Sequence, residues 1–382
     1  MTLEAKIRIL YITPAGERGG AEVVLLTILR HLDRTRFEPA VICLQDGPLV
    51  EQLEQQAKVH VEVVPTERFR DLRHAGRVIR QLRHVTRSCA VDLVHCNGTG
   101  AHLYGSPAAR LCGVPSIYHL HDVVERSWDR QGLVHLLALL APATATIAVS
   151  HYVARRFHES WRSRRAIQII RNGVDPGGVS SLIGSEGVRG EYGWPARAPL
   201  VVWCGRLQRW KGTHIFLKAA ALVRQQMPTA RFLVVGGALF GLDADYEAEL
   251  HAMAKTLNLD ACLGFAGHQP DARRFMAAAD VLVHSSIRPD PFGLVILEAM
   301  ALGKPVIASG EGGPLEIVEA NVTGLLVPPN DPERLAEAMI TLLHDEALRD
   351  RMGMAGLERA ERSFSVSRMM QAFETLYQNL TQ

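Results

Sequence analysis

In the stretch RPDPFGLVILEAMALGKPVIASGEGGP, Arg288 to Pro314, two carboxylates, Asp290 and Glu298, sit eight residues apart with an apolar run between and around them. Asp followed by Pro is a good helix start: the Asp side chain accepts a first-turn amide, and Pro at the first helical position gives up no needed donor. Gly303 is placed to end that helix, and Pro305 follows it. A residue that tolerates left-handed backbone, then one that cannot continue the helix, is a common stop. The next segment, PVIAS, is apolar on both faces and runs into the glycine loop GEGG. Helix, doubly buried strand and glycine loop predict one repeat of a parallel sheet covered on both sides.

On this reading Asp290 is a cap and Phe292 is core. Glu298 sits mid-helix among Leu294, Val295, Ile296, Leu297, Ala299 and Met300, with no basic residue three or four positions away. A carboxylate on a helix that is apolar nearly all round needs hydrogen-bond donors from elsewhere. The amides of Phe292, Gly293 and Leu294 at the helix start form a site for anionic oxygen, and Gly293 allows close backbone approach.

The same repeat recurs along the chain. IRILYIT leads into the glycine loop GERGGAE and the helix AEVVLLTILRHL; further apolar strands are PAVICL, VHVEVVP, DLVHCN, SIYHL and ATIAVS. The second half repeats the pattern with PLVVWCG, RFLVVGG, CLGFAG, DVLVHSS, PVIAS and GLLVP. The Gly- and Ser-rich stretch Pro176–Pro199 separates the halves. With 382 residues, two domains are the natural prior. The expected division is 1–178, a linker at 179–198, 199–362, and a final helix at 363–382, VSRMMQAFETLYQNL being its core.

Net charge is +2, unevenly spread: residues 1–190 hold 24 Lys+Arg against 18 Asp+Glu, and 11 of the 16 His. The excess points the first half toward something anionic. Its densest run, ERFRDLRHAGRVIRQLRHVTR (Glu67–Arg87), holds seven arginines, from Arg68 to Arg87, with Leu72, Ala75, Ile79, Leu82 and Val85 at helical spacing. It reads as an amphipathic surface helix whose basic face suits anionic lipid headgroups. Nucleic acid is not indicated, because no stacking or groove-reading motif accompanies the arginines. Six scattered Cys without paired spacing argue against a disulfide framework or metal site. The chain opens almost at once on a strand, without a secretory leader's pattern, and Gly132–Ser150, its most apolar stretch, contains His135 and Pro142. That stretch reads as a buried helix then a buried strand, and the expected location is cytoplasmic, peripheral at the inner membrane face. GGALFG after RFLVVGG is not a dinucleotide fingerprint, and Ser150–His151 lacks the context of a hydrolase nucleophile.

In VVWCGRLQRWKGT a strand ends at Gly205, and among the cations that follow, Arg206 and Lys211 are placed to project into the cleft. Arg offers a bidentate fork to phosphate and Lys a point charge. Together with a helix N-terminus they can stabilise a departing diphosphate without a metal.

The ordered set DPFGLVILEAMALGKPVIAS, GGPLEIV and NVTGLLVPPNDPERLAEAM resembles the nucleotide-sugar-binding motif of retaining glycosyltransferases, family 4. The resemblance covers nearly the whole chain. It implies a GT-B architecture, with two Rossmann-like doubly wound domains facing across a cleft and a C-terminal helix packing back on the N-terminal one. It implies that Glu298 binds the ribose hydroxyls and that Asp290, where the family has Glu, contacts the donor sugar. GERGGAE resembles the N-terminal glycine motif, placing Gly19 and Gly20 by the donor phosphates and acceptor. IYHLHDV resembles the strand-end motif whose His lines the reaction centre: His121, with His119 as the weaker match. IAVSHYV carries Ser150, and IRNGVD carries Asn172. GRLQRWKG matches the diphosphate clamp, Arg206 and Lys211. GFAGHQPD matches the loop along the base, Gly267 and His268. Phe292, Gly293, Leu294 and Gly313 complete the donor set. The implied activity is retaining, metal-independent hexosyl transfer from a nucleoside-diphosphate sugar, UDP favoured over GDP, to a glycan or lipid-linked glycan, with no cofactor. The alternatives are an epimerase on the same fold and a non-catalytic nucleotide-sugar-binding protein.

Overall fold

The computed structural model describes the chain apart from residues 1–4, 15, 18, 67–71, 125–129, 176–184, 186, 239–242, 244 and 270. Arg68 and Arg70 of the basic run, and the expected linker's residues 179–184 and 186, lie outside the described residues. The chain folds as two units: Met1–Gly173 with Val366–Gln382, and Val174–Ser365.

The first unit is built on seven parallel strands: β1 (Ile7–Thr13), β2 (Phe37–Cys43), β3 (His60–Val63), β4 (Leu93–Asn97), β5 (Ser116–Leu120), β6 (Ala145–Ala148) and β7 (Gln168–Ile169), in the order β3-β2-β1-β4-β5-β6-β7. β1, β4 and β5 are buried on both faces apart from the start of β1, which is why their sequences are apolar runs rather than alternations. Register aligns Tyr11 with His95, Thr13 with Asn97 by extension, and Asn97 with His119. The helix Gly20–His31 starts where the Gly19 amide donates to Glu22 Oε2 at 3.0 Å. The basic helix runs Leu72–Ser88 and turns Ala75, Val78 and Leu82 inward. The last helix, Val366–Thr381, buries Met369, Met370, Phe373, Leu376 and Tyr377. Tyr377 packs edge-on against Tyr11 and Phe37, so this helix covers the first sheet, as the family resemblance implied.

The second unit has six parallel strands: β8 (Leu200–Cys204), β9 (Arg231–Val235), β10 (Leu263–Phe265), β11 (Val281–His284), β12 (Val306–Ser309) and β13 (Gly324–Val327), ordered β10-β9-β8-β11-β12-β13. Trp203, Phe216 and Phe232 are fully buried in its core. In each sheet the strand order reverses once, between β1 and β4 and between β8 and β11. Crevices for ligands open at such points, beyond the carboxyl ends of the strands.

Two expectations need correction. The segment Arg130–Leu140 is a helix, and β6 follows it, but Leu133, Leu136 and Leu140 are exposed; its inner face needs only residues such as Ala138. The helix expected from Asp290 begins at Leu294 and is preceded by Gly293 at φ +99°. That left-handed residue turns the chain, so Asp290–Gly293 forms a tight turn instead of the first helical turn. No helix among the described residues is long and apolar enough to cross a membrane.

Candidate functional site

In the second unit, the loops after β8 and β11 press together at the point of reversal. Gly212 has φ +68°, and a Cβ there would stand 2.0 Å from the Ser285 carbonyl oxygen, so only glycine allows the approach. The Trp203 indole donates to Ser285 Oγ at 3.1 Å, and Ser285 Oγ donates to the Gly212 carbonyl at 2.8 Å. This contact brings the short turn Arg209–Lys211 against Asp290. Lys211 Nζ lies 2.5 Å from Asp290 Oδ2 and 4.0 Å from the centroid of the Trp210 ring. His284 Nε2 is 3.1 Å from the same carboxylate oxygen and 3.0 Å from Ser286 Oγ. The Phe292 amide donates to Asp290 Oδ1 at 3.1 Å. Asp290 therefore caps a turn, not the helix, and the Phe292 amide is already engaged.

Burial alone would raise the Asp290 carboxyl; the Lys211 ammonium and the hydrogen-bonded His284 outweigh it and hold the group far below the ordinary carboxylate range. The result is a buried carboxylate that stays charged and keeps an ammonium in place. The glycine loop packs against the same turn: the Gly313 amide donates to the Asp290 carbonyl at 2.8 Å. A Cβ on Gly313 would meet Phe292 Cα at 2.4 Å.

Glu298 is half-buried on the helix Leu294–Ala301. Burial pushes the Cys204 thiol, at the end of β8, up, and the Glu298 carboxylate adds to it. The Arg273 guanidinium is pushed up first by its hydrogen bonds to Asp271, and then also by Glu298 and Asp175. Arg273, at the start of the helix Arg273–Ala278, is bonded to Asp271, and its charge also acts on Glu298. Arg206 is half-buried directly after β8, and the next residue, Leu207, donates its amide to the Gly237 carbonyl. The Gly236 amide donates to Gly267, whose φ is +65°, and Gly237 packs on exposed His268. Arg206, Lys211, Gly267, His268, Asp290, Phe292–Leu294, Glu298 and Gly313 are therefore gathered at the carboxyl edge of one sheet.

The first unit gathers neutral groups instead. His121 Nε2 and Asn97 Oδ1 are 2.7 Å apart, and Asn97 Nδ2 donates to the Ala21 carbonyl at 3.3 Å, tying the glycine loop with Gly19 and Gly20 to β4. Burial pushes His121 down to about 3. His119, its ring centroid 3.9 Å away, is pushed well below its ordinary value, first by burial and then by His121 and His95. Ser150 caps the helix His151–Trp161, accepting from the Val153 amide at 3.1 Å. Asn172 is buried, and its Oδ1 has no partner among the described residues. Three residues of these sites escaped the sequence reading: Asn97, His284 and Arg273. Asn97 and His284 carry a readable signal, a polar residue closing an apolar strand; Arg273 carries none. Among the described residues no group of three or more His, Cys, Asp or Glu is placed to share a metal ion.

The model for glycosyl transferases group 1 matches residues 185–359, and that for glycosyltransferase family 4 matches residues 18–177. The chain is 32% identical over 210 residues to the lipopolysaccharide core biosynthesis glycosyltransferase LpsE of Rhizobium meliloti, a match spanning 55% of this chain and 57% of that protein. It is 26% identical to the D-inositol 3-phosphate glycosyltransferase of a Nocardioides species, over 90% of this chain and 82% of that one. Among solved structures, Anabaena HepE in complex with UDP and glucose superposes with a TM-score of 0.85 at 30% identity, over 97% of this chain and 99% of that one. Sheet order, the edge that collects the charged loops, and these likenesses agree: the chain belongs to the glycosyltransferases of family 4, with the GT-B fold.

Proposed function

We propose that the chain transfers a sugar from a UDP-sugar to a hydroxyl acceptor, with retention of anomeric configuration and without a metal. The observation that carries this reading is the Lys211–Asp290 pair, a fixed ammonium on the loop after β8 that also carries Arg206, at the reversal point of the second sheet. Charge grows on the diphosphate as the sugar–phosphate bond breaks, and cations already in place stabilise that state without reorganising. UDP is favoured as the carrier because HepE, 30% identical, has been solved with UDP-glucose. Glu298 would hold the ribose hydroxyls, and Gly267 and His268 would flank the base.

Asp290 takes a different part from a simple sugar contact. Its Oδ2 already serves Lys211 and His284, and its Oδ1 serves the Phe292 amide. We assign it first to orienting Lys211. The bond from the anomeric carbon to the diphosphate breaks, and the acceptor oxygen bonds to that carbon on the same face. The acceptor's proton goes to the departing phosphate oxygen. His121, neutral at physiological pH, would hydrogen-bond the sugar rather than remove a proton.

A glycan or lipid-linked glycan is the acceptor class we favour; the LpsE likeness supports it. Exposed Arg77, Arg80 and Arg87 on one helix, with exposed Leu133, Leu136 and Leu140 on another, suit peripheral docking on an anionic bilayer. The test of the function is a thermal-shift screen of UDP- and GDP-sugars, then product analysis. A true donor raises stability by about 2.7 kcal/mol at a hundredfold excess over its dissociation constant. The product should keep the donor's anomeric configuration, and EDTA should leave turnover intact. Inversion, or loss of activity restored by magnesium, would overturn those parts of the proposal.

A further inference from the structure

Behind His121 lies a file of buried polar rings that the proposed transfer does not use. Tyr11 Oη donates to Tyr377 Oη at 3.2 Å. Tyr377 Oη is 2.9 Å from His95 Nδ1, and His95 Nε2 is 3.1 Å from His119 Nδ1. His119 then packs against His121, ring centroid to ring centroid, at 3.9 Å. Tyr11, His95, His119 and Tyr377 are all 0% exposed. Phe373, from the same helix as Tyr377, closes the file over both His95 and His119. A chain of hydrogen bonds this long is costly to bury unless each donor meets an acceptor.

Tyr377 Oη, within reach of both the Tyr11 hydroxyl and His95 Nδ1, can turn its own hydrogen to His95 Nδ1. With the Tyr377 hydrogen on His95 Nδ1, the protons of the file follow in order. A neutral imidazole has one N–H, so His95 carries its proton on Nε2 and donates to His119 Nδ1. His119 must then carry its proton on Nε2, an atom with no hydrogen-bond partner among the described residues. Burial supports neutral rings throughout, pushing His95 down to about 3. In that arrangement one hydroxyl on the last helix sets the tautomer of two rings and the wall against which His121 rests.

We propose that Tyr377 is a positioning residue for His121, acting through His95 and His119. The inference rests on the reading that His121 serves the transfer. Outer partners that orient a functional imidazole commonly matter by about tenfold or more when removed. Tyr377→Phe keeps the ring and its packing and removes only the hydroxyl. In the full chain we expect kcat, read as UDP release from the UDP-sugar selected by the donor screen, to fall about tenfold. The KM for that donor should stay within about twofold, because the substitution leaves the donor loops untouched. A residue that merely anchors its helix would lower the melting temperature and leave kcat alone; kcat within about twofold of the wild type, at any melting temperature, overturns the proposal.

A second measurement needs no variant and no activity. Histidine-selective 15N labelling of the full chain reports the tautomer of each imidazole. We expect His95 and His119 to carry their protons on Nε2, and a proton on Nδ1 of His119 contradicts the chain of donation. His121→Ala separates this inference from the reading beneath it. If that variant keeps full turnover, the role of His121 fails; if it is crippled while Tyr377→Phe is not, only the relay fails.

Discussion

At the carboxyl edge of the first sheet, polar side chains are buried as neutral rings and amides: His95, His119 and His121 beside Asn97. At the same edge of the second sheet they are held as charges: Lys211 on Asp290, and Glu298 in the field of Arg273. Both sheets are parallel and reverse their order once, so the architecture does not force the difference. A neutral ring avoids the cost of desolvating a charge, but only while every proton has its place. A buried charge needs a counter-charge and then keeps its sign over a wide pH range. A site for a departing diphosphate needs standing positive charge; a site that presents a hydrogen bond to a sugar does not.

Acid should expose the largest difference. His95, His102 and His121 are each pushed down to about 3 by burial, and His119 lies well below its ordinary value. Unfolded histidines titrate near 6.5, so below that pH the unfolded chain binds more protons than the folded one, and stability must fall as pH falls. Each such imidazole removes about 1.4 kcal/mol per pH unit once its unfolded form is charged. Hydrogen exchange on the full chain between pH 7 and 5 should show the first unit loosening well before the second. Equal loosening of both would break the comparison.

Asp290→Asn comes next in size. It leaves Lys211 half-buried without its counter-ion, and breaking a buried pair costs about 3–5 kcal/mol. Asp290 is also held far below the carboxylate range, so its contribution is complete above the ordinary carboxylate pKa and fades only as pH drops beneath it. A melting temperature unchanged at pH 7 would show that the pair contributes little to stability.

How much of this could be read from the residues alone differs between the two edges. In the second unit the decisive groups cluster within short stretches, Arg206–Lys211 and Asp290–Glu298, and strand, loop and helix starts carry them in order. The partners that complete the site are harder to see. Arg273 acts on Glu298 from another helix through its charge, and Gly293 moves the helix start away from Asp290. In the first unit the polar file takes Tyr11, His95 and His119 from three strands and Tyr377 from the far end of the chain. No local pattern announces such a set; His119 and His121 looked like alternatives and in fact pack together, their rings tilted at 40°. The thirteen strands among the described residues were nearly all legible as apolar runs; β7, two residues long, was too short to register.

Smaller effects sharpen the picture. Glu298→Ala should weaken donor binding by about 2 kcal/mol if its carboxylate accepts ribose hydroxyls, with titration of UDP as the check; affinity within about twofold of wild type would remove the ribose assignment. Ser150→Ala should cost only about 1 kcal/mol of stability, as the loss of one helix cap. Turnover should not change, because the Ser150 hydroxyl already serves the Val153 amide. A large loss of turnover would return Ser150 to the site.

The central claim is that a fixed ammonium in the second unit holds the diphosphate. Calorimetric titration of UDP and of uridine into the wild-type chain and into Lys211→Met tests it most directly. Met is similar in length and lacks the charge. The account predicts that UDP binds the variant at least about tenfold more weakly, equivalent to about 1.4 kcal/mol, while uridine binds both alike. A folded Lys211→Met that binds UDP as tightly as the wild type would contradict it.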